Sequence, residues 1–257
     1  MPFVHALITG ASAGLGAAFA RELAQPGAVL HLGARRAAEL EQVAEACRAR
    51  GAAVFTRVVD VRDAPAMEAW VRGAGRLDLV LANAGVSAGT GEAVEQDERV
   101  RAMFETNVTG MLNTALPALE VMAAQQPGPD GWRGHVAVVA SIASFLIGPT
   151  APAYCASKAA ARFWAEGRNA TESKRGIRVH AVSPGFIETA MTANNPFPMP
   201  LIMTPEQAAR RALDGIAAGK IRIAYPRRLY ALTRAIGALP PGLVNRLLML
   251  SPAKPAD

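Results

Sequence analysis

The apolar run Val4–Thr9 passes directly into Gly10-Ala11-Ser12-Ala13-Gly14-Leu15-Gly16, and a helical pattern, Leu15–Leu23, begins inside that loop. This strand–loop–helix unit constrains the chain more than any other feature. The spacing Gly-x-x-x-Gly-x-Gly removes side chains where a backbone must turn tightly or approach another group closely. A helix starting there points unpaired N–H groups and the positive end of its dipole at the loop, which suits a phosphate. Glycines also serve plain turns and close helix–strand packing, so the cluster takes its meaning from the elements around it. In this position it predicts a nucleotide site built from Gly10, Ser12, Ala13, Gly14, Leu15 and Gly16.

Further apolar runs follow at Val29–Gly33, Ala53–Val58, Leu77–Ala82, His135–Ala140, Arg178–Ser183 and Ile221–Tyr225. Most are continuous rather than alternating, as strands covered on both faces are. Helical patterns at Ala37–Arg50, Ala64–Arg72, Val100–Ala124 and Ala153–Thr171 lie between them. Thr204-Pro205-Glu206-Gln207 opens another helix, with Thr204 as N-cap, Pro205 at N1 and Gln207 completing a capping box. The alternation predicts an α/β fold, most simply one domain, with a parallel sheet, right-handed crossovers and helices on both faces. Residues 1–225 carry the dinucleotide-binding and catalytic part, and residues 226–257 a basic, apolar, helical extension of it. Pro127-Gly128-Pro129-Asp130-Gly131 reads as a surface loop before a strand.

Composition narrows the classes further. Of 257 residues, 51% are hydrophobic, enough for a sizeable core and against disorder of the main body. The net charge of +6 belongs to the tail: residues 1–219 hold 20 Lys/Arg and 20 Asp/Glu, while the chain from Lys220 onward holds seven basic residues and one acid, Asp257. Basicity so localised does not argue for nucleic acid as a partner. Cys47 and Cys155 suggest no disulfide framework and suit a reducing, cytoplasmic compartment. Cys155 reads as a small buried thiol rather than a nucleophile. His5, His31, His135 and His180 lack metal-ligand spacing, so no metal site is expected. No secretory signal is visible, and no run reaches the roughly 18 apolar residues that span a bilayer.

The second strand ends Leu32-Gly33-Ala34-Arg35-Arg36. A fold that binds NAD usually offers an acid there to the ribose hydroxyls. Here Arg35 and Arg36 stand instead, and a guanidinium fork suits a 2′-phosphate. The residues therefore favour NADP(H) over NAD(H); the bland alternative is a solvated helix start with an arginine paired to Glu39. Asp60, before Val61, can accept from an adenine amino group or cap the next helix.

Tyr154 and Lys158 are four residues apart, so on a helix they share one face. A phenol, with a pKa of about 10, is a poor base at neutral pH. A neighbouring ammonium favours phenolate and is expected to lower that value by about 1–3. Ser141 ends the strand His135–Ala140, where ligands of open α/β sheets bind, and its hydroxyl can donate to a substrate oxygen. Ser144 competes for that role, with loop capping as its plain reading, and Ser141 is preferred on spacing.

Together with the glycine loop, Asn83-Ala84-Gly85, Asn107, Ser141, Tyr154-Cys155-Ala156-Ser157-Lys158 and Pro184-Gly185 resemble, in order and interval, the classical short-chain dehydrogenases/reductases. The resemblance covers roughly residues 3 to 225. It implies a single-domain, Rossmann-type, doubly wound parallel sheet of about seven strands with helices on both faces, a nicotinamide cofactor and reversible carbonyl/alcohol chemistry on a small molecule. It further implies catalytic roles for Asn107, Ser141, Tyr154 and Lys158. Tyr154 would donate a proton to the carbonyl oxygen during reduction, and Lys158 would also hold the nicotinamide ribose. Asn107 would hold a water linking Lys158 to solvent; its plain alternative is a buried amide that satisfies the helix backbone. Asn83, Ala84 and Gly85 would border the cofactor. Pro184, Gly185, Ile187 and Thr189 would hold the carboxamide. A regulator that kept the fold and lost catalysis would be expected to lose Tyr154 or Lys158, and both are present.

Ala190–Met203 contains three prolines with Met and Phe, which excludes a long regular helix and suggests an adaptable apolar lid over an apolar substrate. The tail departs from the common pattern of the family. Leu229, Leu232, Ile236 and Leu239 recur at helical spacing among arginines, and Leu243–Leu250 follows. Three readings stand: a segment peripheral to an anionic membrane, a partner or dimer helix, or a helix closing over the cleft. The departure puts a tetramer in doubt and leaves a homodimer through Val100–Ala124 and Ala153–Thr171.

Overall fold

The computed structural model describes residues 3–90, 94–193 and 195–249. Seven strands form one parallel sheet: β1 (His5–Thr9), β2 (Val29–Ala34), β3 (Ala53–Val58), β4 (Leu79–Ala82), β5 (Gly134–Val139), β6 (Ile177–Pro184) and β7 (Arg222–Tyr225). Their order is β3-β2-β1-β4-β5-β6-β7. The chain winds outward from β1 to β3, then returns to the other side of β1 for β4. The sheet order thus reverses between β1 and β4, and the loops leaving those strands flank a crevice.

Both faces are covered, which explains the continuous apolar runs. Side chains alternate across a strand. Ala6 and Ile8 of β1 join one core with Leu79 and Leu81, while Leu7 joins the other with Val80 and Ala82. The first core is packed by α1 (Gly14–Leu23), α2 (Ala37–Arg48) and α7 (Pro205–Ala217). The second is packed by α3 (Ala64–Gly73), α5 (Gly110–Ala124) and α6 (Pro152–Glu172). Each fully buried leucine among them contributes about 1.5–3 kcal/mol.

One expected strand lies at the sheet edge, and two expectations change. The run Ala53–Val58 is an edge strand, with Phe55 57% and Val58 58% exposed, because β3 has a neighbour on one side only. The pattern Val100–Ala124 is not one regular helix. It begins at Asp97 as α4 (Asp97–Phe104), widens into a π turn at Glu105–Thr109, and continues as α5. The α3 helix is capped by Asp63, which accepts from Ala66 N, and not by Asp60. At α7, Thr204 accepts from Gln207 N as the capping pattern requires.

His135 and His180 lie side by side on β5 and β6, with Nδ1 of His135 3.0 Å from Nε2 of His180. Asp130 and the Lys220 carbonyl terminate this buried chain. Both cysteines are buried, and burial pushes the Cys47 thiol pKa up. After β7 the chain forms α8 (Arg227–Gly237) and α9 (Pro241–Leu248). Leu229 is buried and Leu232 exposed. Leu250, Lys254 and Asp257 of the tail lie outside the described residues.

Candidate active site

The glycine loop turns sharply at the C-terminal end of β1, where Gly10 has φ +67°. A Cβ on Gly16 would lie 2.2 Å from the Gly10 carbonyl oxygen, so only glycine fits at the first turn of α1. The N-cap of α1, Ala13, offers no side-chain cap, which leaves the helix N–H groups to another acceptor. The β4 loop is tied onto this one. Asn83 Nδ2 donates to the Thr9 carbonyl at 2.9 Å, and the Asn83 and Ala84 amides donate to Thr9 Oγ1. Arg36, at the N-cap of α2, donates to Ser12 Oγ at 3.1 Å and pairs with Glu39 at 3.5 Å. Arg35 stands 4.0 Å from Asp60. The Arg62 guanidinium grips Asp60 and holds its carboxyl below the usual range.

Across the switch point, α6 presents Tyr154 and Lys158 one turn apart. Glu95 accepts from Ala153 N and so satisfies the N-terminus of that helix. Lys158 Nζ donates to the Val139 carbonyl at 2.9 Å, at the end of β5. Ser141 follows β5 and starts a 3-10 turn, Ile142–Phe145, by accepting from Ala143 N. Asn107 sits in the π turn, a distortion frequent at functional sites. Its Oδ1 accepts from Val86 N, and its Nδ2 donates to Val86 O and Ser157 Oγ. The amide therefore serves the β4 loop and α6, rather than the helix backbone of the plain sequence reading. A Cβ on Gly85 would lie 3.0 Å from Asn107 Oδ1 and 3.1 Å from Lys158 Nζ, so the Gly85 backbone lies close to both.

Burial pushes the Tyr154 pKa up to about 12, and a hydrogen bond with Ser141 draws it partly back. This corrects the expected lowering by Lys158. Desolvation of the phenolate is the largest cause, and Lys158 Nζ is directed to the Val139 carbonyl. Burial also brings Lys158 down to about 8. A phenol with so high a pKa holds its proton at neutral pH.

These loops enclose a cleft of about 380 Å³. It is lined by Gly10, Ser12, Ala13, Gly14, Leu15, Gly16, Arg35, Arg36, Asp60, Val61, Asn83, Ala84 and Gly85 from the first half. From the second half come Ser141, Tyr154, Lys158, Pro184, Gly185, Ile187 and Thr189. Asn107 alone among the expected site residues stands behind this lining. Of the suggested lid, Ala190, Met191 and Thr192 reach the cleft, while Met203 is buried and pairs with Ile187. Sequence reasoning missed Thr192, whose hydroxyl donates to Ile187 O and accepts from Thr189 N. Its position three residues after Thr189 was the available signal. Glu95 gave none, because it caps a helix more than fifty residues away.

A family profile described as "short chain dehydrogenase" matches residues 4–197. An uncharacterized oxidoreductase of Myxococcus xanthus is 36% identical over 244 residues, covering 93% of this chain and 94% of that protein. Two solved short-chain dehydrogenases share the fold. The one from Burkholderia cenocepacia in complex with NADP has a TM-score of 0.80 at 26% identity, covering 95% of this chain and 97% of its own. The one from Mycobacterium paratuberculosis bound to NAD has a TM-score of 0.71 at 25% identity, covering 86% and 95%. The chain belongs to the short-chain dehydrogenase/reductase family of oxidoreductases.

Proposed function

We propose that this protein is an NADP(H)-dependent reductase of a small apolar carbonyl compound, and in reverse a dehydrogenase of the corresponding secondary alcohol. One observation carries the reading: Ser141, Tyr154 and Lys158 line the same cleft as the glycine loop and the Arg35–Arg36 pair. The loop fits a dinucleotide. Gly16 lets backbone meet backbone, the α1 N–H groups lack a side-chain cap, and Arg36 is already aimed at the Ser12 hydroxyl. A nicotinamide cofactor, when bound, supplies or accepts the hydride. Gly10, Ser12, Ala13, Gly14, Leu15 and Gly16 hold its phosphates, and Asp60 and Val61 its adenine side. Asn83, Ala84, Gly85, Pro184, Gly185, Ile187 and Thr189 border it, and Lys158 holds the ribose.

Tyr154 gives its proton to the carbonyl oxygen, and Ser141 donates a hydrogen bond to that same oxygen as negative charge grows. Lys158 keeps positive charge beside the phenol, which steadies the phenolate left behind. Asn107 fixes the β4 loop against α6, so its role is to hold Lys158 and Tyr154 in register. Val86, Val139, Ile187 and Met191 supply apolar lining, which favours an uncharged substrate. The test is a panel of ketones and aldehydes followed by loss of NADPH absorbance. Apolar members should turn over; a panel with no turnover rejects the reading.

Cofactor preference rests on Arg35 and Arg36. A hydrogen bond to a charged group contributes about 1.5–3 kcal/mol. Replacing either arginine by alanine should therefore weaken NADPH by roughly tenfold or more and leave NADH nearly unchanged. Equal losses for both dinucleotides, measured by fluorescence titration, would show that no 2′-phosphate is read.

The reduction rate should fall as pH rises through about 8. Burial has lowered the pKa of Lys158 to that value, so the ammonium is present below it and lost above it. Lys158→Arg should push this limb upward. A kcat/KM profile that stays level well above pH 8 counts against charged Lys158 as a partner of the phenol.

Phe104, Leu116 and Phe163 are exposed on α4, α5 and α6, a surface that fits the expected homodimer. No helix among the described residues is long and apolar enough to cross a membrane. Exposed Leu232, Leu243, Leu247 and Met249 beside Arg227, Arg228 and Arg246 are the residues that would make peripheral membrane contact.

A further inference from the structure

The face of α6 that carries Tyr154 and Lys158 continues at the same spacing into Arg162 and Glu166. These two lie outside the cleft, and the chemistry above does not use them. Arg162 is 6% exposed. Its Nε donates to Ser144 Oγ at 3.1 Å and its Nη2 to the Ser144 carbonyl at 3.2 Å. Ser144 belongs to the 3-10 turn that begins at Ser141. One arginine therefore clamps the far end of the serine turn to the helix of the tyrosine.

The clamp has a second layer, made by the C-terminal elements. Glu166 pairs with Arg162 at 3.4 Å and accepts from Arg222 Nε of β7 at 2.7 Å. Arg222 Nη1 donates to the Tyr230 hydroxyl of α8 at 3.3 Å. The Tyr230 ring packs edge-on against Phe145, the last residue of the serine turn, at 5.0 Å between centroids. The guanidinium of Arg162 lies 4.1 Å from the centre of the Phe145 ring. Finally, a Cβ on Gly237 would lie 1.9 Å from the Phe145 carbonyl oxygen, so the end of α8 rests directly on the turn.

We infer that α8 is a brace for the Ser141 turn, acting through Tyr230, Gly237 and the Arg222–Glu166–Arg162 chain to hold Ser141 at its distance from Tyr154. The inference rests on the proposed roles of Ser141 and Tyr154. Arg162, Glu166, Arg222, Tyr230 and Gly237 are then positioning residues. The physical argument is that a 3-10 turn of four residues has few internal hydrogen bonds, so its geometry is imposed by what it packs on. Phe145 and Ser144 are fixed from α6, β7 and α8 at once, and the last two follow the turn by more than seventy residues.

Arg162 and Glu166 are poor sites for a test, because removing Glu166 leaves the Arg162 charge buried without its carboxylate and removing Arg162 empties a buried site. Tyr230→Ala and Gly237→Ala in the full chain act at the far end of the brace. Both variants should remain folded and bind NADPH as the parent does. Their kcat for carbonyl reduction should fall roughly ten- to hundredfold, the loss a misplacement on the order of 1 Å produces, with KM little changed. Tyr230→Phe keeps the ring against Phe145 and should keep most of the rate. On a Ser141→Ala background the α8 substitutions should cost nothing more, because the residue they position is already gone. Full turnover in the folded α8 variants overturns the brace, and so does an undiminished loss on top of Ser141→Ala. A fall in melting temperature with kcat intact also overturns it. The reading of the site is judged apart from this: if Ser141→Ala and Tyr154→Phe keep full turnover, that reading falls whatever α8 does.

Discussion

Tyr154→Phe is expected to lower carbonyl turnover by about 10²–10⁴-fold, the range that positioned proton transfer contributes, while leaving NADPH affinity nearly unchanged. The substitution removes one oxygen and keeps the ring, so packing around residue 154 is preserved. What is lost is the only phenol among the cleft-lining side chains. Its pKa of about 12 means the proton is present throughout the working range, and no pH adjustment compensates for its removal. Lys158 is not a substitute, since its Nζ is directed to the Val139 carbonyl. Single-turnover absorbance measures the chemical step, and fluorescence titration measures binding. A variant that reduces its substrate within a few fold of the parent rate would remove Tyr154 from the mechanism.

Gly16→Ala is expected to weaken NADPH by roughly ten- to hundredfold. The added methyl would lie 2.2 Å from the Gly10 carbonyl oxygen and 2.6 Å from Asn83 Nδ2. The first of these is backbone and cannot rotate away, so the loop or the start of α1 must shift. Overpacking of this kind costs about 1–3 kcal/mol, and each 1.4 kcal/mol taken from binding is about tenfold. Gly73→Ala is the control: it also sits in a helix, and a Cβ there meets nothing within 4 Å. It should leave affinity unchanged and stability equal or slightly higher. Matching affinities for the two variants would mean that the Gly16 contact is not part of a dinucleotide cradle.

Much of the fold was legible in the sequence because its signals are local. Continuous apolar runs mark strands buried on two faces, and β1, β4, β5 and β6 have that pattern in fact. The capping residues of α7 announce its start three positions ahead of Gln207. β3 was legible as a strand over Ala53–Val58, but its place at the sheet edge was not, and there Phe55 stacks on His31 rather than entering a core. The π turn at Glu105–Thr109 was invisible, since an extra residue in one helical turn changes no composition. The helix-cap alternative for Asp60 failed for a related reason. Two aspartates near one helix start compete for the cap, and Arg62 engages Asp60 while Asp63 takes the cap.

The sequence by itself determined which residues share a face and which strand ends carry glycine, serine or arginine. Periodicity and backbone chemistry act within a few residues and are written in order along the chain. It thereby placed Tyr154 beside Lys158 and a glycine loop after β1. Only the tertiary structure decided the state of those groups. The phenol is raised because the fold buries it, a long-range consequence of packing that no i,i+4 spacing encodes. Asn107 turns to Val86 and Ser157 because the π turn directs it there. The arginine-rich end of the chain seats α8 on Phe145 because Arg222 and Glu166, fifty-six residues apart, meet across β7 and α6. A sequence fixes local geometry; solvent exclusion and the contacts between distant segments fix what each group can do.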